Sequence, residues 1–552
     1  VTHTFSAAAR AANIDALGRE HFDVLVIGGG ITGAGVARDA AMRGLRVALV
    51  EKGDFASGTS SRSSRLVHGG LRYLEHGQIH LVYEASRERR TLLRIAPHLV
   101  RPLQFVWPVF EDARISRWKL QAGLFAYDAL ALFRNVATHR ALSASMISEY
   151  EPALRTRGLQ GGVSYYDAFT DDIRLTLANV RAAAEAGAVV ASYMAAHELA
   201  IEDDAVRGAF AEDLLCSRTV RIAARTVVNA TGPWSDTIRL LADADAAPST
   251  RGTKGVHVAV PRRRVGNQGA LTTLSPIDGR VMFILPSGRL TIIGTTDTDY
   301  YGPLDTVRAT PDDVTYLLRS ANAYFPAAHL SPADVISAWA GVRPLVNDEA
   351  STPGAVSREH AVVWTAPGLL TVSGGKLTTY RAMADDVVNA VMRALSQPLR
   401  RAQTHRVRLP GGSFASFDDE VHHAASAIGS PQLAEHLVSS YGSEWRDVWE
   451  IVMSNPALAA NVSPGLPYIA AELVWAVERE MALTLGDLLI RRLHIAFEAH
   501  DNGLSAAPAV ARVVAPLLGW SAKRIEAELS RYAREVRGMF GYSRESRVAS
   551  RE

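Results

Sequence analysis

The sequence predicts an α/β chain in three parts: a parallel-sheet domain assembled from separated segments, an inserted antiparallel-sheet domain, and a C-terminal helical domain. Three observations lead there. Short apolar runs without alternation, the mark of strands buried on both faces, occur early in the chain and again far downstream. Between them, residues 254–298 alternate apolar and polar positions (VHVAVP, ALTTL, RVMFILPSGRLTIIGTTD), with Ser287-Gly288 as a hairpin turn. After residue 413 the pattern is helical, with no strand signal.

The first segment, FDVLVIGGGITGAGVARDAAMRGLRVALVE over residues 22–51, sets the organisation. A strand-like run at 24–27 breaks into Gly28, Gly30 and Gly33, and the next dozen residues have helical spacing. A second β-branched run, 47–50, ends in Glu51. Gly28 allows the tight turn, Gly30 lets backbone approach a pyrophosphate, and Gly33 lets helix pack close to strand. The helix N-terminus offers free N–H groups to phosphates, and the Glu51 carboxylate suits the ribose hydroxyls. The glycines alone read equally as a glycine-rich turn. Strand, glycines, helix, strand and acid in register predict a Rossmann-like site for an adenine dinucleotide, either FAD or NAD.

Bulk properties set further bounds. A length of 552 residues implies more than one domain, and 48% hydrophobic with 21% charged residues implies a globular core. A formal net charge of +2 gives no reason to expect nucleic acid as a partner. The single cysteine, Cys216, excludes an internal disulfide and any CxxC metal site, fits a reducing compartment, and no metal is expected. The first twenty residues carry Asp15 and Glu20 and no apolar core, so they read as a leader to the first strand rather than a signal peptide. No run is apolar enough to span a bilayer. A cytoplasmic protein is expected, in solution or peripheral on the inner face of the plasma membrane.

After Glu51 comes KGDFASGTSSRSSRLVHGGLRYLEHG, too polar for core and too long for an ordinary turn. Hydroxyls of Ser60, Ser61, Ser63 and Ser64, with Gly69 and Gly70, are placed to donate to a cofactor's phosphates and ring; a plain surface loop is the alternative. Residues 78–96 read as a helix. Residues 114–133, RISRWKLQAGLFAYDALALF, form the most apolar helical candidate. Its basic start, Trp118, and the run Leu124, Phe125, Tyr127, Leu130, Leu132, Phe133 suit either a membrane interface or a buried helix. A helix is expected over 172–187, a strand over 189–193, and TVVNATG from Thr226 as a strand returning to the dinucleotide at Ala230 and Gly232. Residues 311–325 read as a helix with an Asp-rich first turn. Residues 361–376 give two strands around Pro367-Gly368, and Gly374-Gly375 then open a long helix.

The expected division is a cofactor domain from 20–100, 145–235 and 340–396, a cap over 101–144 and 236–339, and a helical domain over 405–545. A discontinuous dinucleotide domain with an inserted antiparallel sheet favours non-covalent FAD over NAD. Gly374-Gly375 before a helix places N–H groups and a positive dipole end where a flavin N1–C2=O would sit, with Lys376, Leu377 and Thr378 following.

On these segments the chain resembles the FAD-dependent glycerol-3-phosphate dehydrogenases, of the aerobic, quinone-linked type. The resemblance rests on VIGGGITGAGVARDAAMRGLRVALVEKGD, TSSRSSRLVHGGLRYLEHG, VVNATGPWSD, IIGTTDTDYYG, GVRPL and SGGKLTTYR, and extends to VEREMALTLGDLLIRR in the C-terminal part. It implies oxidation of sn-glycerol 3-phosphate to dihydroxyacetone phosphate, hydride passing to FAD and electrons to a quinone, in a homodimer that touches a membrane surface. A phosphorylated substrate needs cations, and Arg72, Arg343 and Lys376 fall in the Gly-rich segments expected to converge on the flavin. Tyr73, Thr295 and Thr296 would complete the hydrogen bonding, with Arg358 as a further cation. His257 is the candidate base for the C2 hydroxyl proton, because the matching family segment carries a histidine there; Arg343 is the alternative, as stabiliser of the alkoxide. His68 is placed against the flavin instead. Rival readings are a glycerol-3-phosphate oxidase using oxygen, an amine or amino-acid oxidase of the same fold, and a flavin-containing scaffold without turnover. In the helical domain, Arg491 and Arg492 with Glu478, Glu480 and Asp487 read as solvated ion pairs.

Overall fold

The apolar runs do become strands buried on both faces. Val24, Leu25 and Val26 are fully buried in the strand His21–Ile27, and all four residues of Val47–Val50 are buried beside it. The structure, a computed structural model, describes residues 4–70, 78–130, 136–346 and 360–542. The expected site residues Arg72, Tyr73 and Arg358, with Leu132 and Phe133 of the apolar helix, lie outside the described residues.

Two sheets carry the fold. In the first, His21–Ile27 pairs in parallel with Val47–Val50 on one side and Arg218–Asn229 on the other. Leu369–Gly374 adds in parallel beyond Arg218–Asn229, and Val189–Ala191 beyond Val47–Val50. Antiparallel strands finish the sheet: His360–Ala366 at the Leu369–Gly374 edge, and the hairpin Met194–Glu202/Ala205–Asp213 on Arg218–Asn229. The helices Ile31–Met42, Asp172–Glu185 and Tyr380–Ala394 pack together over it.

Among the described residues the second sheet has ten strands, built around Thr250–Pro261, which pairs with Leu290–Gly294 on one side and Ser337–Val346 on the other. The hairpin Val281–Ser287/Leu290–Gly294 turns at Gly288, whose φ of 56° suits glycine. This sheet also takes Leu66–Val67, Val100–Phe110 and Leu159–Thr170. The expected division therefore needs correction at three places, one of them Leu66–Val67, which falls in the segment 20–100. Leu159–Thr170 and most of Ser337–Val346 fall in segments given to the cofactor domain, yet they belong to the second sheet. The chain crosses between the sheets more often than the sequence pattern indicates, because an isolated apolar strand does not say which partner it pairs with.

The C-terminal region is helical from Phe417–Ile428 to Ala522–Phe540, but its ion pairs are not solvated. Arg491 and Arg492 are 3% and 2% exposed. Both grip Asp54, a buried residue three positions after Glu51: Arg491 Nε at 2.6 Å, Arg492 Nη1 at 2.5 Å and Nη2 at 3.1 Å. Asp487 accepts from Arg491 Nη2 at 3.0 Å and from the Tyr193 hydroxyl at 2.5 Å. Glu480 accepts two bonds from Arg174, and only Glu478 of the group is exposed. The reading as surface pairs fails because nothing local in LTLGDLLIRR reveals that a carboxylate more than four hundred positions upstream is packed against it. The apolar core is continuous as well: Val24, Val26 and Leu49 belong to the same buried cluster as Leu473, Leu488 and Leu489.

Removing one member of a buried charge cluster leaves the rest uncompensated, at about 3–5 kcal/mol. Asp54→Ala, which strands two cations, is expected to lower the melting temperature most, Arg492→Ala less, and Glu478→Ala by no more than about 0.5 kcal/mol equivalent. Calorimetric melts of the three variants check that order.

Candidate active site

The glycine fingerprint is tight in three dimensions. Gly28 has φ 110°, and a Cβ there would sit 2.6 Å from the Ala230 carbonyl oxygen. A Cβ on Gly33 would lie within 1.9 Å of the Gly28 carbonyl oxygen, and one on Gly30 would be 3.2 Å from Ser60 Oγ. Ala230 thus packs under the turn, and Gly232, φ 59°, follows it. Gly30 caps the helix Ile31–Met42 with no side-chain bond of its own, and Ser60 Oγ, from the loop expected to meet phosphates, instead accepts from Ile31 N at 2.9 Å. Glu51, at the end of its strand, accepts from Gly29 N at 2.7 Å and Gly53 N at 2.8 Å, while burial raises its pKa. This is a cradle for a dinucleotide, with backbone donors and one carboxylate.

From the cradle a cavity of about 480 Å³ runs between the two sheets. Ser60, Ser63, Ser64, His68 and Gly70 line one side, and Gly375, Lys376, Leu377 and Thr378 another. Gly374 and Gly375 have φ 73° and 80°, and a Cβ on Gly375 would meet Met383 Sδ at 2.3 Å, so both positions require glycine. They lead into a 3-10 turn, Leu377–Thr379, and then the helix Tyr380–Ala394.

His257 faces the cavity from the middle of the second sheet, and its strand neighbours explain how. Gly294 stands opposite on one side, where a Cβ would be 2.2 Å from the imidazole, and Trp339 stands opposite on the other. The indole stacks on the ring at 5.5 Å between centroids and 15° between planes. Ser64 Oγ sits 2.8 Å from His257 Nε2. Burial above all, then the positive charges of Arg343 and Arg65, lowers the His257 pKa to about 3. Arg343, from Ser337–Val346, lies across Gly255 and donates to Thr295 Oγ1 at 3.0 Å and Asp297 Oδ1 at 3.1 Å.

Several expected residues have other jobs. Thr296 Oγ1 accepts from Val256 N at 3.0 Å and is buried away from the cavity, so only Thr295 of that pair faces it. Ser63 Oγ donates to Asp172 at 2.7 Å and Ser61 Oγ to the Gly58 carbonyl at 3.1 Å, so both hydroxyls hold the loop rather than a ligand. Ser64 is committed to His257. Gly69 is a packing residue: its N–H donates to Asp167 at 3.0 Å, and a Cβ would meet the Tyr127 hydroxyl at 2.1 Å.

Other lining residues were not foreseen. Arg62 and Arg280 add guanidinium groups, and burial lowers the Arg62 pKa to about 10. Arg62 stands inside TSSRSSR among hydroxyl residues that suit phosphate contacts equally well, and Arg280 immediately precedes the strand Val281–Ser287. Asp167 accepts from Gly69, Tyr127 and Arg89, and so anchors this wall. The helix Arg117–Leu130 supplies Lys119, Leu120 and Gly123 to the lining, while Trp118 and Phe125 on its other face are 67% and 60% exposed.

Comparison with known proteins gives a consistent answer. Residues 23–381 match a family described as FAD dependent oxidoreductase, and residues 402–525 match the C-terminal domain of alpha-glycerophosphate oxidase. The chain is 41% identical to glycerol-3-phosphate dehydrogenase 2 of Mycobacterium tuberculosis, over 96% of this chain and 90% of that one. It is 36% identical to a glycerol-3-phosphate dehydrogenase of Synechocystis, over 93% and 95%. Among solved structures, the glycerol-3-phosphate dehydrogenase from Bacillus halodurans complexed with FAD superposes with a TM-score of 0.81 at 32% identity, over 97% and 98%.

The buried histidines set an acid limit. His257 and His98 are both held neutral down to about pH 3, His98 by burial and then by Arg174 and Arg101. An unfolded chain protonates its histidines near 6.5, so it binds more protons than the native state between about 3 and 6.5. Stability is therefore expected to fall as pH drops through that window. Chemical denaturation at pH 7 and pH 5 checks this, and His257→Asn should flatten part of the slope.

Proposed function

Since the chain belongs to the FAD-dependent glycerol-3-phosphate dehydrogenases, we propose that it oxidises sn-glycerol 3-phosphate to dihydroxyacetone phosphate and hands the electrons to a quinone. The observation that carries this reading is the convergence of Arg343, Lys376 and His257 on one cavity at the end of the dinucleotide cradle. A small phosphorylated alcohol needs that combination: cations for its phosphate and an acceptor for its hydroxyl proton.

The cofactor is FAD, and the residues fit it: Gly28, Gly30 and Gly33 clear the path of the pyrophosphate, Glu51 offers the ribose a carboxylate, and Gly375 with Lys376, Leu377 and Thr378 lines the flavin end. When bound, it supplies the acceptor for the hydride leaving the substrate C2. Arg343, held by Thr295 and Asp297, and Lys376 bind the phosphate, with Arg62 and Arg280 adding positive charge to the same cavity. His257 Nε2 takes the C2 hydroxyl proton as the substrate hydroxyl replaces the Ser64 hydroxyl that meets this nitrogen at 2.8 Å in the free protein, and Trp339 keeps the imidazole in its plane. A histidine lowered to about 3 is a poor base, but part of that lowering comes from Arg343. A phosphate dianion seated on Arg343 cancels that part, so the base strengthens when substrate arrives. Substrate binding and proton transfer are coupled through one guanidinium.

The membrane contact rests on the helix Arg117–Leu130. Trp118 and Phe125 lie seven positions apart on its outer face, and Ile79 and Tyr83 of the neighbouring helix Ile79–Ile95 are 55% and 45% exposed. Among the described residues no helix is long and apolar enough to cross a membrane. We infer a helix lying in the interface on the cytoplasmic side, its inner face lining the cavity. Oxygen as acceptor is the second reading, favoured by the match of residues 402–525 to a domain named for an oxidase.

Anaerobic mixing with sn-glycerol 3-phosphate is expected to bleach the flavin absorbance, and a quinone to restore it faster than oxygen. Faster recovery in oxygen would reassign the enzyme as an oxidase, and no bleaching would remove the substrate. Arg343→Ala should retain FAD and lose at least about a hundredfold in kcat/KM, in line with loss of a charged substrate contact. Trp118→Ala with Phe125→Ala should lower turnover with a long-chain quinone in vesicles while leaving turnover with a soluble dye unchanged. Equal loss with both acceptors would sink the interfacial helix.

A further inference from the structure

A second cavity, of about 830 Å³, opens away from the active site between the helices Ile79–Ile95 and Tyr380–Ala394 and the segment that follows the latter. Each helix presents one stripe to it: Arg87, Arg90 and Arg94 on the first, and Arg381, Asp385, Asn389 and Arg393 on the second. Such three- and four-residue steps keep side chains on one helix face. Arg400, Arg401 and His405 close the third side. Seven arginines thus meet two carboxylates, Glu88 and Asp385, in a chain whose overall net charge is only +2.

Both carboxylates are already committed. Glu88 is buried and takes a two-pronged contact from Arg381, at 2.7 and 2.5 Å, with Arg87 at 3.4 Å. Asp385 accepts at 2.6 Å from Arg43, which lies buried beneath the cavity. Arg94 donates to the His405 carbonyl at 2.7 Å and Arg400 to the Arg43 carbonyl at 3.0 Å, contacts that position a guanidinium without neutralising it. Arg90, Arg393 and Arg401 have no carboxylate partner among the described residues. After burial, the charges of Arg381, Arg406 and Arg94 lower the pKa of His405, in keeping with a surplus of positive potential.

The ordinary explanation for exposed arginine is solvation, or interaction with a helix C-terminus. The second accounts for Arg94 and Arg393, each in the last turn of its helix. It leaves Arg90 and Arg401 unexplained, and Arg90 with Arg94 forms a like-charged pair one helical turn apart, which is unfavourable without a counter-ion. Planar guanidinium groups converging from three sides match phosphate oxygens, and the volume is that of a small-molecule site. We propose that this cavity binds an anion carrying two or more linked phosphate groups, separately from the substrate.

Arg90 and Arg401 stand on different walls, are exposed, and serve neither helix end nor fold, so Arg90→Ala with Arg401→Ala should melt like the parent. Inorganic triphosphate titrated calorimetrically into the holoenzyme is expected to bind, and to bind at least about tenfold more weakly to this double variant. Arg343→Ala, in the other cavity, should bind it as the parent does. Vesicles of phosphatidylglycerol form the second arm. If the double variant loses vesicle binding and triphosphate does not bind the parent, the cavity takes the single phosphate of a lipid headgroup and the linked-phosphate proposal falls. Equal behaviour of parent and double variant with both probes, or loss of triphosphate binding in Arg343→Ala alone, overturns the proposal.

Discussion

A buried carboxylate between two buried arginines holds the two ends of this protein together. Asp54 lies in the loop that leaves the second strand of the cofactor sheet, and Arg491 and Arg492 come from a six-residue π-helical turn in the C-terminal region. Charges removed from water must be paired, so neither partner has a stable alternative once the core around them closes. The loop from Glu51 to Ser64, which cradles the dinucleotide and reaches His257, is thereby fixed from outside the cofactor domain. A helical region that reads as an appendage is part of the support for the active site.

The site itself is made by strand pairing. Placing Gly294 and Trp339 on either side of His257 leaves one face of the imidazole clear and covers the other with an indole. The next turn of the same sheet brings Arg343 across Gly255. Cations close enough to grip a phosphate also depress a neighbouring base, and after burial the Arg343 charge is the next cause of the low His257 pKa. In the proposed reaction a phosphate on Arg343 would relieve that part of the shift and tie proton transfer to occupancy.

The helix Arg117–Leu130 shows the same economy. Leu120, Leu124 and Tyr127 face inward, Tyr127 bonding Asp167 at 2.7 Å, while Trp118 and Phe125 face out. The sequence offers an interfacial helix and a buried helix as alternatives. The inner face is that of a buried helix, and the exposed Trp118 and Phe125 on the outer face are what the proposed interfacial contact rests on, because a helix with apolar residues all round has two apolar sides to satisfy.

What the sequence by itself determined was local. G-x-G-x-x-G between a strand and a helix, an acid ending the next strand, paired glycines before Lys376 and the alternation of residues 254–298 each act within a few positions, so their geometry follows from residue type and spacing. The dinucleotide cradle and the inserted sheet were legible for that reason, while the candidacy of His257 and Arg343 came from the family resemblance of their segments. What only the tertiary structure decided depends on groups far apart in the chain. The sheet to which Leu159–Thr170 belongs, the use of Ser64 for His257 and of Thr296 for Val256, and the entry of Arg62 and Arg280 into the cavity are choices among partners. The burial of Arg491 and Arg492 and the meeting of seven arginines between two helices are of the same kind. A charged side chain carries the same letter on a surface and in a core, and only the packing of distant segments around it settles which it will be.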